Sequence, residues 1–339
     1  MDELGTNSGC AAAQAHPNIA LIKYWGKRNV ALNLPAVGSL SITLDGIWTR
    51  TRVAFDARVD QDEFLLNGAL DAAAARRASA SLDLLRACAG VTTRARVATH
   101  NNFPTGAGLA SSASGFAALV TAAAAALGLS LNVAERSVLA RRGSGSASRS
   151  ILGGFVEWRR GTRDDGADSC AVPLLDAQAW PLRVVVAVTS EARKAVGSTD
   201  GMLRTARTSP YQDAWVATQE DDLAEARAAI AARDFGRLAA VSEASCLKMH
   251  ALAMAARPGL LYWNGATVEG MHCVRTLRAS GVPVFFTVDA GPQVKAVCLA
   301  SGAAMVADAL RALPGVLRVI ECGLGAGAQV IDPAMVTGA

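Results

Sequence analysis

The stretch Asn101-Asn102-Phe103-Pro104-Thr105-Gly106-Ala107-Gly108-Leu109-Ala110-Ser111-Ser112-Ala113-Ser114-Gly115 constrains this chain more than any other. Gly106 and Gly108 remove side chains and permit positive φ. Ser111, Ser112 and Ser114 offer hydroxyls, and the alanine-rich run over 117–127 predicts a helix directly behind them. A helix N-terminus presents amide donors and the positive end of a dipole, which suits phosphate. The pattern is neither Gly-x-x-x-x-Gly-Lys-Ser/Thr nor Gly-x-Gly-x-x-Gly, so a common NTPase loop or a Rossmann site is not indicated. An ordinary capped alanine-rich helix would use the same residues, and the segment by itself leaves both readings open.

Length and charge narrow the setting. At 339 residues the chain suits two modest domains around real cores. Half of it is hydrophobic, yet charges recur and no apolar run is long enough to span a membrane. The opening Met1-Asp2-Glu3-Leu4 lacks the basic start and apolar core of a secretion signal. Seven cysteines are scattered without a Cys-x-x-Cys, which predicts free thiols in a reducing cytoplasm. A net charge of +4 with 5% aromatics argues against nucleic-acid binding. A pocket for a small anion needs only a few local cations.

Strands are predicted within 39–59, at 93–99, 153–158, 182–188, 284–288 and 315–321. Helices are predicted at 70–89, at 133–140 behind Asn132 as cap, at 209–232, 234–256 and 264–279, and again over 294–304. Strands and helices mix without strict alternation, so the fold class is α+β rather than a doubly wound sheet.

Several residues could carry chemistry. Asp289 ends an apolar strand and opens Asp289-Ala290-Gly291-Pro292, a tight turn. It is either an Asx-turn former or a carboxylate able to accept a hydroxyl proton during phosphoryl transfer. Arg149 follows Ser144 and Ser146 on a Gly-rich turn, and is either a solvated loop arginine or a two-pronged anion clamp. A strand-like register would place Lys23 and Lys27 on one side, as a surface pair or as a diphosphate cradle. The histidines His16, His100, His250 and His272 lack metal-ligand spacing, so neither a zinc site nor a Ser-His-Asp triad is supported. His250 is predicted to be structural.

Pro104-x-x-x-Gly108-Leu109-x-Ser111-Ser112-Ala113 resembles the ATP-binding loop of the GHMP kinase superfamily. Asn18-Ile19-Ala20-Leu21-Ile22-Lys23-Tyr24-Trp25-Gly26-Lys27-Arg28, Arg142-Gly143-Ser144-Gly145-Ser146-Ala147-Ser148-Arg149-Ser150 and Phe286-Thr287-Val288-Asp289-Ala290-Gly291-Pro292 narrow the likeness to the diphosphomevalonate decarboxylases. The resemblance implies an N-terminal β/α domain like ribosomal protein S5 domain 2, over 1–181. It implies a ferredoxin-like C-terminal domain over 182–339, with the site in the cleft between them.

The resemblance further implies Asp289, Lys23 and Arg149 as catalytic residues. Tyr24, Lys27, Ser144, Ser146, Ser198 and Thr199 would join Arg149 in binding substrate. Pro104, Gly106, Gly108, Leu109, Ser111 and Ser112 would bind ATP, with Mg²⁺ bridging its phosphates and no dedicated protein metal site. The implied reaction is ATP-dependent decarboxylation of mevalonate 5-diphosphate to isopentenyl diphosphate, by a homodimer. A sibling enzyme acting on mevalonate or its monophosphate, and a non-catalytic sensor, are the alternatives. Asn29, Ala36-Val37-Gly38 and Gln293 depart from the family's common residues, which bears on the choice among mevalonate phosphates.

Overall fold

The structure is a computed structural model and describes residues 9–104, 108–192 and 194–336. Gly106, one of the expected ATP-loop residues, lies outside the described residues. Three main sheets organise the rest. The first has the order Gln329–Ile331, Cys10–Ala15, Thr49–Phe55, Ala95–Asn101, Glu63–Leu66, Ala69–Leu70. The second runs Ala171–Leu175, Phe155–Trp158, Ser39–Thr43, Asn18–Ile22. The third runs Val284–Val288, Val294–Cys298, Arg183–Val188, Arg318–Cys322. Antiparallel pairing dominates, with Glu63–Leu66 parallel to Ala95–Asn101, so the class is α+β as expected. The strand Gln329–Ile331 returns from the far end of the chain to pair with Cys10–Ala15 in the first sheet.

The alanine-rich segment forms the helix Ser111–Ala126, buried along most of its length against the first sheet. Small side chains let that helix sit close to Ala13 and Ala15, whereas larger ones would hold it off. The second sheet's Ile19, Leu21 and Phe155 share one core with Val184, Val186 and Phe285 of the third. That common core fixes the two halves against each other and thereby shapes the cleft along their seam.

Two predicted elements are corrected. Residues 294–304 do not form one helix: Val294–Cys298 is a strand buried throughout, and the helix Ala303–Arg311 starts later. Lys295 amid apolar residues imitates an amphipathic helix, but the strand is central and covered on both faces. The helix expected over 209–232 is two helices, Gln212–Ala217 and Gln219–Ala232, and a separate helix, Ser198–Thr208, precedes them where a turn was expected. Pro210 cannot supply a helical N–H and biases Ser209 to extended backbone, observed at ψ 128°. A second break falls at Thr218, whose hydroxyl donates to the Ala214 carbonyl at 2.9 Å.

Candidate active site

A cavity of about 990 Å³ follows the seam. Lys23, Lys27, Arg77, Arg142, Arg149 and Lys194 line it, against the carboxylates Asp71 and Asp289. Asp71 is occupied as the cap of helix Ala72–Ala89, accepting from the Ala73 and Ala74 amides. The cavity is therefore strongly cationic, although the whole chain is only slightly so. Such a site concentrates anionic ligands through local field rather than net charge.

Asp289 stands at its centre. The strand Val284–Val288 delivers it, and the Gly291 amide donates to the Asp289 carbonyl at 2.7 Å to close the turn. Hydroxyls of Thr267 and Thr189 donate to the Pro292 carbonyl at 2.6 and 3.0 Å, fixing the turn from outside. Lys23 Nζ lies 2.6 Å from Asp289 Oδ1 and Lys295 Nζ 3.3 Å from Oδ2. Burial pushes the carboxyl's pKa up, but the two ammonium groups outweigh it and hold the carboxyl well below its ordinary range. The Asp289 side chain keeps 25% exposure, all it needs to meet a ligand in the cleft.

Lys23 is 1% exposed and tied down on every side. Its amide donates to Ser245 Oγ at 3.0 Å, its carbonyl accepts from Gln219, and its Nζ also donates to the Ala20 carbonyl at 2.9 Å. The expected shared strand register of Lys23 and Lys27 is corrected. The strand ends at Ile22, Gly26 turns at φ +98°, and Lys27 opens a separate ribbon. Lys23 therefore meets Asp289, while Lys27 reaches Thr199 Oγ1 at 3.4 Å across the cleft.

Arg149 is 2% exposed, which removes the solvated-loop reading. It lies in the short helix Ala147–Ser150 and donates to Ser41 Oγ at 2.9 Å, to Asn18 Oδ1 at 3.0 Å and to Ser39 Oγ. Among the described residues it forms no ion pair. Burial lowers its pKa to about 10, partly offset by Asp289, so it stays cationic at neutral pH. A desolvated cation held by neutral dipoles and the Trp158 ring, 5.9 Å from its centroid, has electrostatic capacity left for an anion. Beside it, Tyr24 is half-buried with its ring 4.7 Å from that of Trp158, and its buried hydroxyl has no hydrogen-bond partner among the described residues. Burial pushes that phenol's pKa upward, so the hydroxyl remains a donor. Gly145 is required here, because a Cβ would stand 2.7 Å from the Tyr24 hydroxyl.

Part of the loop expected to bind ATP faces the same cavity. Ala110 takes a left-handed conformation before helix Ser111–Ala126, and its methyl side chain supplies no cap to that end. Gly108, Ser111 and Ser112 line the cavity, while Leu109 is buried behind them and Pro104 precedes the loop half-buried. Ser144 Oγ donates to Ser112 Oγ at 3.2 Å and lies 3.5 Å from Ser146 Oγ, so the two serine turns converge. These donors at that helix end fit a polyphosphate. Ser198 and Thr199 start the helix Ser198–Thr208, and Ser198 Oγ accepts from Lys194 Nζ at 2.8 Å.

Two lysines escaped the sequence reading. Lys295 was concealed by the false helix, although a lone lysine inside an apolar strand just after Asp289 was a usable signal. Lys194, which also donates to the Ala290 carbonyl at 3.1 Å, carries no spacing signal and is recruited by folding alone. Burial lowers the pKa of Lys194, with Asp289 opposing the shift. His250 is structural as expected. Its Nε2 lies 3.1 Å from the Val288 carbonyl, and burial depresses its pKa to about 3.

Comparisons with known proteins bear on the family to which the whole chain belongs. Residues 15–171 match the family model of the diphosphomevalonate decarboxylase-like N-terminal domain, and residues 184–319 that of the mevalonate 5-diphosphate decarboxylase C-terminal domain. The Candida albicans diphosphomevalonate decarboxylase is 38% identical over 297 residues, covering 83% of this chain and 82% of the relative. The Aspergillus fumigatus enzyme is 37% identical over 325 residues, covering 90% and 80%. A solved complex of MDDEF with MVAPP, AMPPCP and magnesium superposes with a TM-score of 0.89 at 41% identity, covering 96% of this chain and 99% of that one. The Staphylococcus aureus mevalonate diphosphate decarboxylase gives 0.90 at 39% identity, covering 96% and 98%. On both domain matches and on full-length similarity, the chain belongs to the diphosphomevalonate decarboxylase family.

Proposed function

We propose that this protein decarboxylates mevalonate 5-diphosphate at the expense of ATP, giving isopentenyl diphosphate, ADP, inorganic phosphate and CO₂. The observation that carries the reading is the pairing, in one cationic cleft, of a fixed carboxylate at Asp289 with a serine-rich helix start. Asp289 orients the tertiary hydroxyl and takes up its proton as that oxygen attacks the γ-phosphorus of ATP. With its pKa held low, Asp289 acts chiefly by positioning and by charge, accepting the proton late in the transfer. Lys23 keeps the carboxylate in place.

Arg149 holds the substrate carboxylate, whose loss as CO₂ delivers electrons to the carbon that the phosphate leaves. Lys27, Ser144, Ser146, Ser198, Thr199 and the Tyr24 hydroxyl surround the diphosphate. Ser111, Ser112 and the loop backbone around Gly108 take the ATP phosphates, with Pro104, Gly106 and Leu109 shaping that loop. Mg²⁺ carried on the ATP phosphates would supply further charge neutralisation, and the Ser112 hydroxyl, which lines the cavity, is the side chain that would help hold it.

The same reading makes the protein a cytoplasmic homodimer with units divided near 181/182, which sedimentation and limited proteolysis would check. Its chemical test is stoichiometry: CO₂, ADP and phosphate should appear in equal amounts from mevalonate 5-diphosphate and ATP. A stable phosphorylated product without CO₂ would make the protein a kinase. Preference for the monophosphate would make it a sibling decarboxylase, and no ATP consumption would leave a sensor.

A further inference from the structure

The geometry points to Lys295 as a positioning residue that ties the ATP-phosphate loop to the reacting carboxylate. Three observations converge. Lys295 is 1% exposed in the strand Val294–Cys298, a segment otherwise apolar and wholly buried. Its Nζ has two acceptors, Asp289 Oδ2 at 3.3 Å and the Gly108 carbonyl at 3.1 Å. The two backbones it bridges already touch: a Cβ on Gly108, which sits at φ +83°, would stand 3.1 Å from Gly291 Cα.

Lys23 and Lys295 therefore divide the carboxylate between them but differ in what else they hold. The second acceptor of Lys23 is the Ala20 carbonyl, three residues back along its own chain segment. The second acceptor of Lys295 belongs to the loop expected to wrap ATP. A trans peptide turns the Leu109 N–H away from the carbonyl that Lys295 fixes, so one ammonium sets the orientation of that peptide and of Asp289 together. An apolar residue would fill this strand position without the desolvation that an ammonium suffers there. Correct placement of the phosphate loop and of the carboxylate thus depends on a single side chain, and displacement of either should disturb the other.

This inference rests on the proposed role of Asp289, and its test keeps the two apart. Lys295→Met preserves length and packing but removes the charge and all three donors. It should lower kcat about 10- to 100-fold and raise the apparent KM for ATP about tenfold, the scale of a lost charge-assisted hydrogen bond. The KM for mevalonate 5-diphosphate should stay within about twofold. Lys295→Gln keeps one donor without the charge. It should bring the ATP KM back to within about threefold of wild type while kcat stays depressed.

A folded Lys295→Met protein with wild-type ATP KM, or with both KM values raised equally, would overturn the proposal. Should the Met variant not fold, Lys295→Gln decides alone, and an undiminished kcat there overturns it. Asp289→Asn is assayed alongside. An inactive Asp289→Asn with an unperturbed Lys295→Met defeats only the lysine proposal, whereas an active Asp289→Asn defeats the reading beneath it.

Discussion

The Asp289 turn and the Arg149 wall face each other across one cleft, yet they solve burial in opposite ways. Around Asp289 opposite charges are already paired within the protein: one carboxylate lies between two buried lysines, with its turn pinned by two threonine hydroxyls. Around Arg149 the cation meets an asparagine, two serines and the Trp158 ring, with no counter-ion among the described residues, and the neighbouring Tyr24 hydroxyl has no hydrogen-bond partner among them. A cluster of ions paired within the protein is rigid before ligand arrives and suits orienting a reacting oxygen. An under-compensated one gains most from a ligand's own charge and suits binding. The difference separates positioning from recognition without reference to any bound molecule.

The largest expected effect strikes the compensated side. Asp289→Asn should fold, yet lose about 10²–10⁴-fold in turnover, because it removes the group proposed to orient the hydroxyl and receive its proton. Its stability should respond to pH in a defined direction. The folded pKa of Asp289 lies below the unfolded value of about 3.9, so its stabilisation is whole above that value and fades as pH falls through the folded pKa. Denaturant titrations should show the gap between wild type and Asp289→Asn closing as pH drops from about 4. A gap that widens there would contradict the lysine–carboxylate pairing.

On the recognition side, Arg149→Lys keeps the charge but cannot reproduce the planar fork that Asn18, Ser39 and Ser41 hold. Turnover should fall by about one to two powers of ten. Near-wild-type activity would place Arg149 outside contact with substrate and erase the contrast between the two walls. Ser112→Leu probes the loop that joins them. A bulky side chain at the helix start should raise the ATP KM severalfold or more, whereas unchanged ATP kinetics in a folded protein would reduce the loop to a helix cap.

The mildest change is the most discriminating. Tyr24→Phe removes a hydroxyl with no hydrogen-bond partner among the described residues, so thermal stability should hold or rise slightly. The KM for the phosphorylated substrate should nevertheless increase about three- to tenfold, as for one lost hydrogen bond. Lost stability together with unchanged KM would show that the phenol serves the protein rather than a ligand.

Much of this was legible in sequence because local chemistry is written locally. Asn132 and Asn264 mark helix starts, and both close capping boxes in the structure. The strand Val284–Val288 coincides with its predicted limits, and the Gly- and Ser-rich segments fall where turns and a helix start were expected. Prediction failed where burial overrode pattern. Val294–Cys298 carries a lysine that suggests a solvent face, and only its place between two neighbouring strands shows that it has none.

The sequence by itself determined the fold class, the family and the motif residues, because those depend on side-chain periodicity and on short spacings along the chain. Which partner each charge would meet was decided only by tertiary structure. Lys23 and Lys27 are neighbours in a motif but part at Gly26 toward different walls. Lys194 and Lys295, in no recognised motif, arrive beside Asp289 because separate elements pack there. Electrostatic coupling acts through distance in space and through desolvation, and neither quantity exists until the chain has folded.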